Sequence, residues 1–519
     1  MVPDLETCYR AIQSRDARFD GWFFVAVATT GIYCRPSCPA AAPKRENVRI
    51  YPTAAAAQAA GFRACLRCRP DAAPGSPQWN LSADAAGRAM RLIADGVVDR
   101  EGVDGLARRL AYSPRHLRRL LVEQLGAGPL DLARAQRAQT ARLLIETTAL
   151  PFNDVAFAAG FASLRQFNDT IRTVFALTPT EIRRRAGRRR HAGASRLAAS
   201  PPAALADLGA LVLRLPRREP FDGDAILRFL SARAVPGVEE VSGDTYRRTL
   251  RLPHGDGLAE LTPRADHVEC ALRLTEMRDL GAAVERCRAL FDLDADPQAV
   301  DAVLGADPVL GSLVAGAPGR RVPGAADGTE LAVRAVIGQQ VSVASARAVA
   351  ARLAASLGRP LVEPRGTLLV TFPSAEALAA ADPALLPLPT TRRHTVLTLS
   401  QAIADRRIVV SAATDRDELR ERLLQIPGIG EWTVAYVLMR LGDTDAFPAT
   451  DHGVRCALEA LDQPADAAAA ARLAEAWRPW RAYAVQHLWD VEPTSAPRTA
   501  AKRRGGRLAA QTARAVRLP

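Results

Sequence analysis

Little in this 519-residue chain is built for a membrane or for export. No uninterrupted apolar run approaches the roughly 20 residues that span a bilayer, and the first twenty residues lack the apolar stretch of a signal peptide. Both absences lead us to expect a soluble, cytoplasmic protein with no membrane partner. Acidic residues are outnumbered, 56 against 69 Lys+Arg, which leaves a net charge of +13 and makes nucleic acid the leading partner, with an acidic membrane surface the alternative on charge alone. Cysteine is scarce too, and eight in so long a chain do not make a disulfide scaffold. Cys8, Cys270, Cys287 and Cys456 stand singly and read as small buried apolar residues. What the chain does have is apolar content of 48%, ample for cores, and a length that suits three or four domains of about 100–200 residues each.

The other four cysteines are paired. Three residues separate Cys34 from Cys38 and two separate Cys65 from Cys68, so each pair can bite one ion while the intervening loop closes the second half. This is thiolate zinc spacing, and it predicts one Zn²⁺ held by Cys34, Cys38, Cys65 and Cys68. On spacing alone a closed, structural site is the commoner outcome. The surroundings shift that balance: "FFVAV", "TTGIYCRPSC", "RENV" and "GFRACLRC" resemble the N-terminal domain of the Ada family of alkylation-damage sensors over residues 1–75. The resemblance implies that Cys34 is both a zinc ligand and the acceptor of a methyl group from a methylphosphotriester in DNA. Zinc holds sulfur as a thiolate at neutral pH, and the thiolate is the form that attacks an electrophilic methyl carbon. Methylating one ligand changes the formal charge of a tetrathiolate zinc site from −2 to −1, which weakens repulsion of the phosphate backbone.

After a Pro/Gly/Ser-rich break at Pro70–Pro77 the pattern becomes helical. Val103, Leu106, Ala107 and Leu110 share one face. "AYSPRHLRRLL" then supplies Ser113 as N-cap, Pro114 at the first helical position, Leu117, Leu120 and Leu121 inward, and Arg115, Arg118 and Arg119 outward. A second short helix, Gly160 turn and Ser163 N-cap follow in "DVAFAAGFASLRQFNDTIRTVF", with Arg165 and Gln166 at the start of the last helix. Between them, "PLDLARAQRAQTARLLIE" reads as one connecting helix. One such unit alone reads best as an amphipathic pair with a solvated basic face, but two in tandem suit two successive major-groove contacts. "GF.S...F.......F..TP...R" from Gly160 to Arg183 resembles the double helix-turn-helix domain of AraC-type activators over residues 80–186, with Ala176 and Leu177 where a glycine is usual. A basic linker is expected over 187–206.

From residue 207 strand-like "ALVLRL" and "YRRTLRL" alternate with the helical "GDAILRFLSARAV", which predicts an α+β domain over 207–317. The stretch 318–495 reads as helical, followed by a basic tail, 496–519. "LLQIPGIGEWTVAYVL" sets Gly428 and Gly430 between two helices, which by itself reads equally as a plain αα-hairpin or as a turn whose backbone N–H groups meet a phosphate. With "RAVIGQQVSVA", Asp451 in "FPATDHGV" and "WRPWRAYAVQHLW", this half resembles the AlkA-type branch of the helix-hairpin-helix DNA glycosylases, which excises 3-methyladenine. The resemblance implies that Asp451 stabilises the sugar cation formed as the glycosidic bond breaks. It further implies that Phe229, Trp432, Tyr436 and Trp489 line the pocket for a flipped base, and that Gln340 stands where a leucine often wedges into the duplex. Taken singly, each aromatic would pack in a core.

Four departures bear on the chemistry. Trp432 occupies the position of the lysine in lyase-type relatives, so hydrolysis alone is expected. His452 stands where tyrosine is frequent. The last cysteine is Cys456, which excludes the C-terminal iron–sulfur cluster of some relatives, and the Pro-Cys-His-Arg tetrapeptide of an Ada methyltransferase half is missing. The expectation is a multidomain, mainly α protein: a small zinc-bound α/β domain, a tandem helix-turn-helix domain, an α+β domain and an all-α glycosylase domain. Promoter DNA, alkylated double-stranded DNA and RNA polymerase are its expected partners. The rival is a transcription regulator whose glycosylase-fold module binds DNA but is catalytically silent.

Overall fold

The computed structural model describes residues 4–68, 70, 85–194 and 210–491. Most of the break at Pro70–Pro77, part of the expected linker and the whole of the expected basic tail lie outside the described residues.

The N-terminal unit is a four-stranded sheet in the order β3-β1-β2-β4, made of β1 (Phe24–Val27), β2 (Ile32–Cys34), β3 (Val48–Tyr51) and β4 (Arg63–Ala64). β1 pairs antiparallel with β2 and β3, but β2 and β4 run parallel, with Tyr33 opposite Ala64. That register sets Cys34, at the end of β2, beside Cys65, one residue past β4. Helices Leu5–Ser14 and Ala54–Ala59 cover the sheet, each capped by a side-chain oxygen, from Asp4 and Thr53.

The next unit is helical throughout. The chain passes through Val97–Arg109, where Gly102 (φ 68°) breaks the path, then Pro114–Leu125, the long connector Pro129–Thr147, Phe152–Ala158 and Leu164–Phe175. Ser113 and Ser163 cap their helices by accepting from the amides of His116 and Gln166, both at 3.2 Å. Leu117, Leu121, Phe167, Ile171 and Phe175 are buried, and Leu120 is half-buried. Ala176 sits at φ 53°, the left-handed conformation a glycine would adopt freely, so the turn keeps its shape at the steric cost of a Cβ. The last helix, Pro179–Ala194, runs on into the arginine-rich stretch read as linker.

The second half opens with an antiparallel sheet in the order β5-β9-β8-β7-β6: β5 (Leu211–Pro216), β6 (Glu239–Ser242), β7 (Thr245–Arg251), β8 (Asp256–Pro263) and β9 (His267–Leu274). Leu211, Leu213 and Leu215 alternate inward, and helices Gly223–Arg233 and Leu280–Leu290 pack on the sheet. Its apolar core is continuous with that of the zinc unit (Phe24, Tyr33, Phe62) and of the second helix-turn-helix (Leu144, Phe167, Phe175). The remaining unit is helical apart from one hairpin, β10 (Pro360–Arg365) with β11 (Leu368–Val370), turned at Gly366 (φ 55°). Its core gathers Trp477, Tyr483, Val434 and Leu488.

A buried charge network locks the sheet to the helix Gly328–Ile337. Arg248 pairs with Glu239 (3.3 Å) and Glu330 (2.6 Å), and Arg334 pairs with the same two carboxylates (2.8 and 2.6 Å). Burial would raise Glu239, but Arg334 and Arg248 outweigh it and bring its pKa to about 2. The two arginines and two glutamates cancel in charge, a point that matters for the cleft beside them.

Candidate functional site

The four cysteines converge. Their sulfur atoms all lie within 4.8 Å of one another. Tetrahedral zinc with Zn–S bonds of about 2.3 Å has sulfur–sulfur edges of about 3.8 Å, so small movements close this cluster on one ion, and an all-thiolate set suits zinc. The loop between the first pair is pinned by the buried Asp20, which accepts from the Ser37 amide (3.0 Å) and hydroxyl (2.6 Å) and pairs with Arg35 at 3.2 Å. Without a metal, a hydrogen bond to Cys38 holds the Cys34 thiol far above the ordinary thiol range, while Cys34 in turn lowers Cys38 to about 7. Cys65 and Cys68 are buried, whereas Cys34 and Cys38 are partly exposed.

The second centre is a cleft of about 1160 Å³ where the α+β unit meets the helical unit. Asp451 caps helix His452–Ala460, its Oδ1 accepting from the Val454 amide at 3.0 Å. Two indoles donate to the same carboxylate: Trp489 Nε1 to Oδ1 and Trp432 Nε1 to Oδ2, each at 2.8 Å. Trp432 lies in the first turn of helix Glu431–Arg440, and Tyr436, one turn on, stacks against it with centroids 5.6 Å apart and planes 15° apart. Phe229, from helix Gly223–Arg233, stacks on Trp489 at 6.1 Å. Gly453 makes the Trp489 contact possible, since a Cβ there would stand 2.9 Å from Trp489 Cδ1 and 3.2 Å from Asp451 Oδ1. All five residues singled out in the sequence, Asp451, Phe229, Trp432, Tyr436 and Trp489, line this one cleft.

The rim is made by the hairpin and the loop facing it. Gly428 (φ 89°) turns so tightly against Thr395 that a Cβ would lie 2.3 Å from its hydroxyl. Gln339 Nε2 donates to the Gly428 carbonyl and to Thr433 Oγ1, both at 2.9 Å, tying the two rim segments together. Gln340, next along, is exposed in a left-handed conformation (φ 53°), flanked by the exposed Val341. Arg115, Arg118, Arg119, Arg165 and Gln166 are exposed on the outer faces of their helices and belong to neither centre. Arg165 leans toward Asp169 at 3.9 Å.

Three residues escaped the sequence reading: Gln339, Arg233 and Arg440. Arg440 donates to the Gly324 carbonyl (2.8 Å), the Pro323 carbonyl and the Tyr436 hydroxyl (2.9 Å). Arg233 and Arg440 lie with guanidinium carbons 3.8 and 4.9 Å from the Phe229 ring centroid. Each follows a pocket aromatic by four positions on its helix, Phe229 and Tyr436, and that spacing was the available signal. Burial alone would raise the Tyr436 hydroxyl, but Arg440 and Arg233 outweigh it and lower its pKa.

Known proteins resemble the chain in three blocks. A family model for the metal binding domain of Ada matches residues 7–71, a helix-turn-helix domain model matches 106–185 and an AlkA N-terminal domain model matches 212–327. A probable bifunctional transcriptional activator/DNA repair enzyme AlkA from Mycobacterium tuberculosis is 56% identical over 95% of this chain and 97% of its own length. DNA-3-methyladenine glycosylase 2 of Escherichia coli is 34% identical over 53% of this chain and 95% of its own. The bifunctional transcriptional activator/DNA repair enzyme Ada of Escherichia coli is 41% identical over 26% of this chain and 36% of its own. Among the described residues no helix is long and apolar enough to cross a membrane.

Proposed function

We propose, from the premise that this chain belongs to the family of bifunctional transcriptional activator/DNA repair enzymes, that it couples a methylphosphotriester sensor to a monofunctional glycosylase for alkylated bases such as 3-methyladenine. The observation that carries the catalytic half is the carboxylate of Asp451, held by two indole donors in an aromatic cleft beside a helix-hairpin-helix rim. Fixed in this way, the carboxylate stabilises positive charge on the sugar as the base departs. The base flips into the cleft against Trp432, Tyr436 and Trp489, with Gln340, Gly428 and Gly430 holding the opened duplex. Among the described residues no lysine lines the cleft. The described lining of the cleft thus offers no amine for an imine, which supports hydrolysis. Duplex carrying 3-methyladenine tests this: free base is released with no borohydride-trapped adduct, and a trapped adduct overturns the hydrolytic reading.

In the sensor half, zinc when bound keeps its four ligands as thiolates. The Cys34 sulfur attacks the methyl carbon of a methylphosphotriester. An S–C bond forms, the C–O bond breaks with its electron pair, and an ordinary phosphodiester anion remains. Cys34 then carries a neutral thioether, the formal charge of the site changes from −2 to −1, and affinity for DNA rises. Arg115, Arg118 and Arg119 enter one major groove and Arg165 and Gln166 the next. The methylated form then contacts RNA polymerase at the promoter.

A further inference from the structure

The base cleft contains a cation that the excision chemistry above leaves unused. Arg233 ends helix Gly223–Arg233 and lines the cleft, its guanidinium carbon 3.8 Å from the Phe229 centroid and 5.8 Å from that of Trp489. Its hydrogen bond to backbone is a long one, Nη1 to the Phe229 carbonyl at 3.4 Å, and among the described residues it forms no ion pair. The neighbouring arginines differ. Arg248 and Arg334 are neutralised by Glu239 and Glu330, and Arg440 is committed to two carbonyls and the Tyr436 hydroxyl. Burial lowers the Arg233 pKa, yet an arginine in a protein keeps its proton at neutral pH. The cleft therefore holds two charged groups, the Arg233 guanidinium, which no carboxylate pairs among the described residues and which bonds the Phe229 carbonyl and the Tyr436 hydroxyl, and the Asp451 carboxylate.

Breaking a glycosidic bond sends the C1′–N electron pair to the base and leaves positive charge on the sugar. A carboxylate at the sugar and a guanidinium at the base form a fixed dipole aligned with that separation. A base that starts as a cation leaves neutral and needs little help. A neutral oxopurine leaves as an anion and needs a cation or donor at its edge. From this arrangement, and resting on the glycosylase reading above, we infer that Arg233 is the leaving-group residue of the site. It stabilises the negative charge that reaches the departing base and so admits neutral, carbonyl-bearing lesions alongside cationic ones. The balance is that of hydrolysis: water bonds to C1′ and loses one proton, and the departed base anion takes one up.

The test is single-turnover release from two duplexes, one with cationic 7-methylguanine and one with neutral hypoxanthine, by the full-length protein and its R233Q, R233M and R233K variants. Removing the charge in R233Q or R233M slows hypoxanthine release by at least about 100-fold, as for other preorganised donors, and 7-methylguanine release by less than about 10-fold. R233K, which keeps the charge, recovers most of the hypoxanthine rate. A merely packing role slows both lesions alike and is not rescued by lysine, and that result overturns the inference, as does an unchanged hypoxanthine rate. Wild type that releases 7-methylguanine but not hypoxanthine overturns this inference alone. Wild type that releases neither overturns the glycosylase reading with it.

Discussion

Asp451→Asn separates the electrostatic role of Asp451 from its structural one. Oδ1 accepts from the Val454 amide and Trp489, and Oδ2 accepts from Trp432 alone. An asparagine keeps its oxygen at the doubly used Oδ1 position, where it still caps the helix. Its NH₂ then occupies the Oδ2 position, 2.8 Å from the Trp432 indole nitrogen, so two donors face each other. Opposed donors cost about 1–3 kcal/mol, and because this carboxylate is only half-buried the lower end applies. A loss of about 1 kcal/mol lowers Tm by about 2–4 °C in a unit of this size. Losing the charge slows 3-methyladenine release by about 100- to 1000-fold. Trp432→Phe removes the opposing N–H, so adding it to Asp451→Asn restores part of the stability but none of the rate. The assay is a double-mutant cycle read by thermal melting and by single-turnover release. Additive melting losses, or an Asn variant with more than about a tenth of the wild-type rate, refute the reasoning.

Gly453→Ala pushes Trp489 off Asp451, because the new Cβ meets Trp489 Cδ1 at 2.9 Å. Release by this variant should fall at least about 10-fold with little change in melting, which paired kinetic and thermal measurements check. His487 is buried, and that burial, with Arg320 nearby, lowers its pKa to about 4. The unfolded chain takes up this proton near 6.5 and the folded chain only near 4. Acidification across that window should therefore destabilise the fold by up to about 3 kcal/mol, and denaturant melts of wild type and His487→Asn should converge as pH falls. Asp292, raised by burial to about 6, acts in the opposite sense, its contribution fading as pH rises from 3.8 through 6. Protein methylated at Cys34 should bind promoter DNA more tightly than unmethylated protein, with the advantage shrinking as salt rises. Titrations at two ionic strengths read this directly.

The helix-turn-helix units were legible because their signals are local: a serine cap three residues from the amide it serves, leucines at helical spacing, Gly160 at φ 84°. The thiol pairs were legible as ligands. Their meeting was not, since it depends on the parallel pairing of β2 with β4 across a segment that itself holds β3 and helix Ala54–Ala59. The carboxylate and aromatics of the cleft were recognisable as a set only through resemblance. Nothing in spacing reveals that Trp432 and Trp489, one on each side of Asp451 in sequence, share its two oxygens. Charge buried in a sheet is rare, so nothing in the sequence pointed to Glu239 and Arg248, whose pairing neutralises one wall of the cleft near Arg233.

The central claim is that one chain both senses methylated phosphates and excises methylated bases. The most direct measurement gives the full-length, zinc-loaded protein a duplex containing methylphosphotriesters and 3-methyladenine, then maps methylated peptides and quantifies free base in the same sample. The account predicts one methyl group per chain, on Cys34, together with catalytic release of 3-methyladenine that Cys34→Ser leaves intact and Asp451→Asn abolishes. Methyl transfer to another ligand or to none, or base release that does not depend on Asp451, would contradict it.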